Sequence, residues 1–463
     1  MRWFGSSAGV AIKNPPLGAE GGDEARAVDR LAWPIIADGL FMTALELTNL
    51  ALLGRLGTTV ISGVGAATQL IQLGIAVITG ASVGGMVLAA QMRGARDREG
   101  QGRVIGQSLL LGVVIGALFG LPAALLANPL LHLIGANDAI AAQGTIYLRL
   151  AGLAFPALAV MTVAAAILRG LGNSRTPMMI TGLTNLINVA IAAGLIFGPP
   201  QLGVAGAATA ASLARVVGAV LLVVALWRSG LLRGARFRPD FGAIRQVLRI
   251  GLPALGEQLV LNIGLLGYGL MALQLGPTVF AAQRVCLTLI GLAWMPAFGY
   301  GYGATALVGQ AIGALLPDRA RLLARIAATH AIYWMSGLAV VCFLVAEPLV
   351  ALFTADPQVR SLAAAGLRVL CFGQPFWGLG QVYAGALRGV GDTRFPLVAT
   401  TAGVWLVRLP AAWFFGLFLG WGLSGIFISN SVDAATRAAF VTVRFLRGRW
   451  REKLAAKPGL NVG

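Results

Sequence analysis

Apolar runs long enough to cross a lipid bilayer recur along the whole sequence. A helix needs about 20 such residues to span the hydrocarbon core of a membrane. Of the 463 residues, 57% are hydrophobic and 11% are charged, whereas soluble domains carry roughly 25% charged residues. The sequence therefore predicts an all-α integral membrane protein with many transmembrane helices.

Twelve predicted spans account for the apolar runs. Their ranges are 31–55, 59–94, 101–126, 138–169, 178–198, 203–228, 243–275, 278–313, 323–346, 357–389, 396–416 and 420–446. The 63 glycines suit a bundle in which helices approach one another closely in lipid.

The basic residues indicate how the chain is oriented. A net charge of +18 would suggest a nucleic-acid partner if the protein were soluble. Here the positive charge falls in alternate loops, for example at Arg93, Arg96, Arg98 and Arg103, and in the central segment 228–249. This is the positive-inside pattern. It predicts a multi-pass protein of the bacterial inner membrane with both termini in the cytoplasm, and it argues against a nucleic-acid partner.

The two halves of the sequence align without a gap at one constant offset, which is the separation of Pro34 from Pro253. At this offset, LRGLGNSRTP at 168–177 aligns with LRGVGDTRFP at 387–396. Further aligned pairs are Gly80 with Gly299, Gly84 with Gly303, Gln91 with Gln310, and Gly94 with Gly313. Because the matches fall on residues with special backbone or charge roles, they indicate an internal repeat.

Each half holds six predicted spans, so both halves have the same orientation. They are then related by a pseudo-two-fold axis along the membrane normal. We predict an N-lobe at 31–228, a C-lobe at 250–447, a basic cytoplasmic loop at 229–249 and cytoplasmic tails at 1–30 and 448–463. Substrate sites in such transporters lie between the repeats.

Each half also carries an acidic residue four positions after the repeated proline. These residues are Asp38, in WPIIAD, and Glu257, in LPALGE. Proline frees a carbonyl group upstream, so each carboxyl group could hydrogen-bond a bent helix. Alternatively, acids within a membrane mark ion or substrate pathways.

The sequence resembles the multidrug and toxin extrusion (MATE) transporters across residues 31–447. The resemblance rests on TNLALLGRLG, on AAQRVCLTLIGLAWMPAFGYGYGATALVGQAIGA at 281–314, on the paired LRGxGxxRxP loops and on NLINVAIAAGLIFGPPQLGVAGAA at 185–208. It implies two six-helix lobes that alternate between inward-open and outward-open states. It also implies export of amphipathic, usually cationic, compounds in exchange for protons or sodium ions. Within the family, the chain looks closest to the bacterial branch named for the DNA-damage-inducible F protein.

Three positions depart from the family pattern. The resemblance implies aspartates where this chain has Asn49 in helix 1, Ala192 in helix 5 and Trp377 in helix 10. A sodium ion needs several oxygen ligands, preferably including a carboxylate. The usual cation site of the N-lobe is therefore predicted to be altered.

Glu46 is predicted to replace the missing acid of helix 1. It lies three residues before Asn49, and together with Asp38 the two should form a polar stripe. We expect this stripe to face the N-lobe cavity beside Asn188. The hypothesis is that Glu46 carries a coupling proton, assisted by Asp38 and Glu257, because a lone glutamate suits a proton better than sodium. In the alternative, a protonated Glu46 holds helices together by bonding to Asn49 or Asn188.

Other residues have narrower predicted roles. Candidates for the substrate cavity are Tyr300, Tyr302, Gln258 and Asn262, although packing of the two tyrosines against lipid is an equal alternative. Pro34, Pro253 and Pro296 are expected to bend their helices. Asp433 is expected to form a structural ion pair with Arg408, or with Arg437 one turn further on.

Other function classes are disfavoured. A P-loop needs a lysine, and none occurs between Lys13 and Lys453. His132 and His330 are far apart and no zinc motif occurs, so we predict no enzyme, metal or cofactor. The alternatives are a lipid-linked glycan flippase, which would need a cationic cavity, and a membrane protein without transport activity. Arginines within the spans lie mainly near their cytoplasmic ends, which argues against the cationic cavity of a flippase. The preferred prediction is therefore a monomeric exporter of organic cations or drugs in a lipid bilayer.

Overall fold

All regular structure in the described residues of this computed structural model, 21–199, 201–235, 237–448 and 450, is helical. We number the twelve long helices α1 (Gly21–Gly54), α2 (Thr58–Gly94), α3 (Arg98–Leu125), α4a (Asp138–Leu153) with α4b (Phe155–Gly170), α5 (Arg175–Phe197), α6 (Gly203–Arg228), α7 (Phe241–Gln274), α8a (Pro277–Ala293) with α8b (Met295–Gly313), α9 (Pro317–Leu344), α10 (Pro357–Gly389), α11 (Arg394–Phe418) and α12 (Gly422–Leu446). Short helices at Ala127–Leu133 and Ala346–Ala351 precede α4a and α10.

The predicted all-α membrane fold is confirmed. Eight of these helices are long and apolar enough to cross a membrane, and the bent pairs α4a with α4b and α8a with α8b raise the number to ten. The remaining two, α10 and α12, pack against each other. They carry buried polar side chains such as Gln374 and Asp433, which lower their hydropathy.

One of the three predicted prolines, Pro296, lies next to a bend between two helical segments. α8 bends by 43° between Ala293 and Met295, next to Pro296. α1 and α7 continue without a break through Pro34 and Pro253. An unpredicted bend of 53° separates α4a from α4b, and Pro156 lies in the first turn of α4b.

The predicted N-terminal tail, residues 1–30, is wrong in its extent because α1 already begins at Gly21. Acidic residues in a first turn stabilise the positive end of the helix dipole, and Asp23 and Glu24 occupy that turn. Glu24 also accepts a hydrogen bond from Nε of Arg319 on α9, at 2.8 Å. Residues 1–20 lie outside the described part of the chain.

The first helix of each half crosses to the other half. Backbone glycines make the close approach possible: a Cβ on Gly80 of α2 would lie 2.9 Å from the carbonyl oxygen of Gly251 on α7. At the equivalent place, a Cβ on Gly299 of α8b would lie 3.0 Å from the carbonyl oxygen of Ala32 on α1. Gly80 and Gly299 are repeat counterparts, and so are Ala32 and Gly251. The two contacts are therefore equivalent, and the repeat produces one of them in each half.

The two halves close tightly at the end of the bundle that holds the loops after α2, α6 and α8b, which we call the arginine-rich end. There, a Cβ on Gly94 would collide with the carbonyl oxygen of Gln310, and a Cβ on Gly313 would collide with that of Gln91. The glutamine side chains reach further across. Nε2 of Gln91 donates to the carbonyl oxygen of Gly389 at 2.9 Å, and the equivalent bond from Gln310 reaches Gly170 at 2.8 Å.

Candidate functional site

Away from the arginine-rich end, a Cβ on Gly65 of α2 or on Gly291 of α8a would meet no atom within 4 Å. We infer that the halves are separated there by a space, which we call the central gap. On α2, Gly65, Gln69 and Gln72 are exposed and recur at the spacing of one helix face. That face leads directly to Gly80, which contacts α7. The polar face of α2 therefore lines the central gap.

The second half presents an equivalent face. On α8a, Arg284 and Thr288 are exposed, and they lead through Met295 to the contact that Gly299 makes with α1. Thr288 donates from its hydroxyl to the backbone carbonyl of Arg284 at 3.0 Å, which leaves the guanidinium group of Arg284 outside this bond. Gly291, one turn on, has open space around it.

We infer that Glu46 faces the same gap from α1, from its position on the helix face that contacts the second half. Gly39, Thr43 and Glu46 lie on one helix face, and a Cβ on Gly39 would touch Sδ of Met295 in the second half. Glu46 itself is exposed. No described residue forms a hydrogen bond or an ion pair with its carboxylate.

Gln258 and Asn262, which the sequence predicts for the substrate cavity, lie one helical turn apart on α7. Gln258 is the repeat counterpart of Gly39, and Asn262 is the counterpart of Thr43. Nε2 of Gln258 donates to Oδ1 of Asn262 at 3.4 Å. Both side chains are thus on the side of α7 that faces the first half.

The structure does not bring the predicted N-lobe ion site together. Asn188 is buried in α5, and its Oδ1 has no hydrogen-bond partner among the described residues. The neighbouring Asn185 donates to the carbonyl oxygen of Phe41 at 2.8 Å and so fixes α5 against α1. The alternative in which Glu46 bonds to Asn49 or Asn188 is not observed.

Asp38 departs from the predicted polar stripe. It is buried and forms an ion pair with Nη2 of Arg169 on α4b. In the second half, both carboxylate oxygens of Glu257 accept hydrogen bonds from Nη2 of Arg388, at 2.9 and 2.8 Å. Thr400 adds a bond to Glu257 at 3.3 Å.

The two ion pairs are repeat counterparts. Each half contains one, and the constant offset separates both the acids and the arginines. The arginine comes from the LRGxG motif, and the acid comes from the helix with the repeated proline. Neither acid bonds to a carbonyl freed by proline, so that interpretation is wrong. Each pair ties the first helix of a half to the fourth.

A third buried cluster lies in the C-lobe and contains the predicted ion pair. Oδ2 of Asp433 accepts hydrogen bonds from Nε and Nη2 of Arg408 at 2.9 and 2.6 Å. Its Oδ1 accepts a bond from Nε of Arg437 at 3.0 Å. Both predicted arginines therefore bind the same carboxylate, and Arg437 also lies over the ring of Trp377, 5.0 Å from its centroid.

The prediction that Tyr300 lines the substrate cavity is wrong. Its side chain is fully buried, and its hydroxyl donates to Oδ1 of Asp29 at 3.0 Å. The ring nitrogen Nδ1 of His330 lies 2.9 Å from the same oxygen, so Tyr300 helps to anchor α1 on the second half. Tyr302 is half-buried and packs against the same core.

Sequence reasoning missed several residues of the gap. Gln69, Gln72 and Thr288 carry a detectable signal, since polar residues three or four positions apart in an apolar run indicate a face that avoids lipid. Arg284 and Arg215 also qualify the expectation that arginines in the spans lie near helix ends, because Arg215 is midway along α6.

Comparison with known proteins agrees with this architecture. The MatE family model matches the chain twice, over residues 34–193 and 253–414, so the two matches begin at the repeated prolines. The probable multidrug resistance protein NorM of Thermotoga maritima is 30% identical over 433 residues, which are 92% of each chain. The multidrug resistance protein PmpM of Pseudomonas aeruginosa is 28% identical over 84% of this chain and 83% of its own.

Solved structures share the fold. The Vibrio cholerae MATE transporter VcmN superposes with a TM-score of 0.89 at 20% identity, covering 94% of this chain and 99% of its own. An outward-facing multidrug resistance MATE transporter superposes with a TM-score of 0.86 at 23% identity, covering 94% and 98%. The narrower assignment to the DNA-damage-inducible F-like branch stays a prediction. The chain belongs to the MatE family of multidrug and toxin extrusion proteins, which are transporters and not enzymes.

Proposed function

We propose that this protein exports amphipathic organic cations from the cytoplasm in exchange for protons, by alternating access of the central gap. The observation that carries the proposal is the environment of Glu46. Among the described acids that lie well inside the long helices, Asp29, Asp38, Glu257 and Asp433 each have a basic partner, and Glu46 has none. It is also the one that faces the gap.

An unpaired carboxylate on a gap between the halves suits proton exchange. A charge at this depth is costly unless it is protonated, paired or solvated. Glu46 can accept a proton or attract a cationic substrate, and it cannot satisfy both at once. That competition couples the two fluxes. We give Asp38 and Glu257, which the sequence suggested for ion coupling, a role in holding helices together.

The arginine-rich end is the cytoplasmic end in this proposal, as the positive-inside rule requires. The chain then lies in the bacterial inner membrane as a monomer with both termini in the cytoplasm. Because the halves are closed at this end by the contacts of Gly94 and Gly313, we assign the structure to an outward-facing state. Relatives named for multidrug resistance support a drug-like substrate.

The test is export of a fluorescent organic cation from proteoliposomes under an imposed pH gradient or an imposed sodium gradient. We expect transport with the pH gradient alone. Transport that needs sodium and ignores the pH gradient would show that a sodium site forms without the two missing aspartates. Proteoliposomes with neither gradient provide the baseline.

Gly94→Val or Gly313→Val should block transport without unfolding the protein. The added side chain collides with the opposite half only while the arginine-rich end is closed, so each variant should be confined to states in which this end is open. We expect transport to fall by at least about tenfold. The matched control is Gly337→Val on α9, where a Cβ would meet no atom within 4 Å, and it should transport normally. Normal transport by both valine variants would contradict this mode of closure.

A flippase for lipid-linked glycans remains the second candidate because Arg284 is exposed on the gap face of α8a. Such a substrate would need its phosphates bound by arginine. Arg284→Gln separates the two candidates: it should leave cation export intact or raise it, whereas it should abolish movement of a phosphate-bearing lipid.

A further inference from the structure

A second cavity, separate from the central gap, lies at the arginine-rich end on the seam between the halves. Its volume is about 440 Å³. The first half supplies Arg93, Arg96 and Arg98 from the region between α2 and α3, and the second half supplies Arg319 at the start of α9. Because both halves line it, the cavity exists in this form only while that end is closed.

The lining has an excess of positive charge. Four arginines face one carboxylate, that of Glu24, which already accepts a hydrogen bond from Arg319 at 2.8 Å. Loop arginines suffice to orient a membrane protein, and that role does not require them to surround a cavity.

The chemistry of the lining identifies the ligand class. Guanidinium groups bind the oxygens of a phosphate through paired, charge-assisted hydrogen bonds. The lining also includes the apolar side chains of Leu231, Leu307 and Leu323. We propose that this cavity binds a phosphate group, held between arginines of the two halves. The source is either the headgroup of an anionic phospholipid or a free phosphate compound from the aqueous phase.

The proposal is independent of the coupling ion and is tested by binding alone. The variant is Arg96→Gln with Arg98→Gln, in the full-length protein. The control is Arg245→Gln with Arg249→Gln, which removes the same charge from positions of α7 that do not line the cavity. One arm titrates inorganic phosphate at constant ionic strength and follows thermal unfolding. The other counts phosphatidylglycerol bound per protein by native mass spectrometry, with phosphatidylcholine for comparison.

We expect saturable binding in the wild type and the control, and binding roughly tenfold weaker in the cavity variant. Loss in the phosphate arm alone identifies a soluble ligand, and loss in the phosphatidylglycerol arm alone identifies a lipid headgroup. Equal binding by all three proteins, or equal weakening in both variants, would overturn the proposal, since only general surface charge would then be involved.

Discussion

Glu46→Gln should abolish proton-driven export while leaving the protein folded and in the membrane. Glutamine preserves the size of the side chain and its hydrogen-bonding capacity but cannot bind and release a proton. Glu46 has no bonding partner among the described residues, so its replacement leaves no buried group unsatisfied. We therefore expect unchanged thermal unfolding and a loss of transport of at least about a hundredfold.

The matched control for this prediction is Glu347→Gln. Glu347 is also exposed, and it bonds to Arg368 at 3.1 Å in the C-lobe. We expect this variant to transport like the wild type. Export by Glu46→Gln at the wild-type rate would remove Glu46 from the mechanism, even if the protein proved to be driven by protons.

Asp433→Asn should cause the largest loss of stability among single substitutions of the buried acids. The side chain of Asp433 is 0% exposed, and its two arginine partners are 6% and 10% exposed. Removing the carboxylate leaves two guanidinium groups side by side without a counter-charge. Breaking a buried ion pair in this way costs about 3–5 kcal/mol, which should lower the unfolding temperature markedly.

Thermal unfolding of the purified protein checks this prediction. The control is Asp392→Asn, which removes the partner of Arg444 from a pair whose side chains are 24% and 14% exposed. Water can replace part of that interaction, so we expect a smaller loss. A second variant, Asp433→Asn with Arg437→Gln, should recover part of the stability because it removes one unpaired charge. If Asp433→Asn unfolds no earlier than the control, the cluster does not hold the C-lobe together.

The constant offset between the two halves is the most informative feature of the sequence, because it identifies which residues of the two halves occupy equivalent positions in the fold. It placed the glycines of the seam and the paired acids correctly. The arginine partners of Asp38 and Glu257 were also accessible to sequence reasoning, since Arg169 and Arg388 share the same offset. Both arginines lie in the LRGxG motif, where the glycines and the loop charge are the more obvious signals.

Other features could not be derived from the pattern. FGYGYG is consistent with either a gap-facing or a packed helix, since glycine permits close contact on either side, and only the contact with Asp29 decides that Tyr300 is buried. The first turn of α1 is bonded to α9 through Glu24 and Arg319, a contact between distant parts of the chain. The direction in which each face of a helix points also depends on contacts with other helices. The contact between Gly39 and Met295 places the face of α1 that carries Glu46 towards the gap.

The most direct test of proton exchange uses proteoliposomes with no imposed gradient and a pH-sensitive dye in the lumen. A fluorescent organic cation is added outside, and the pH of the lumen is followed. We expect the lumen to become more alkaline as the cation enters, because protons leave in exchange, and we expect Glu46→Gln to show no change. Cation entry without any proton movement, accompanied by sodium efflux from sodium-loaded vesicles, would contradict proton exchange at Glu46.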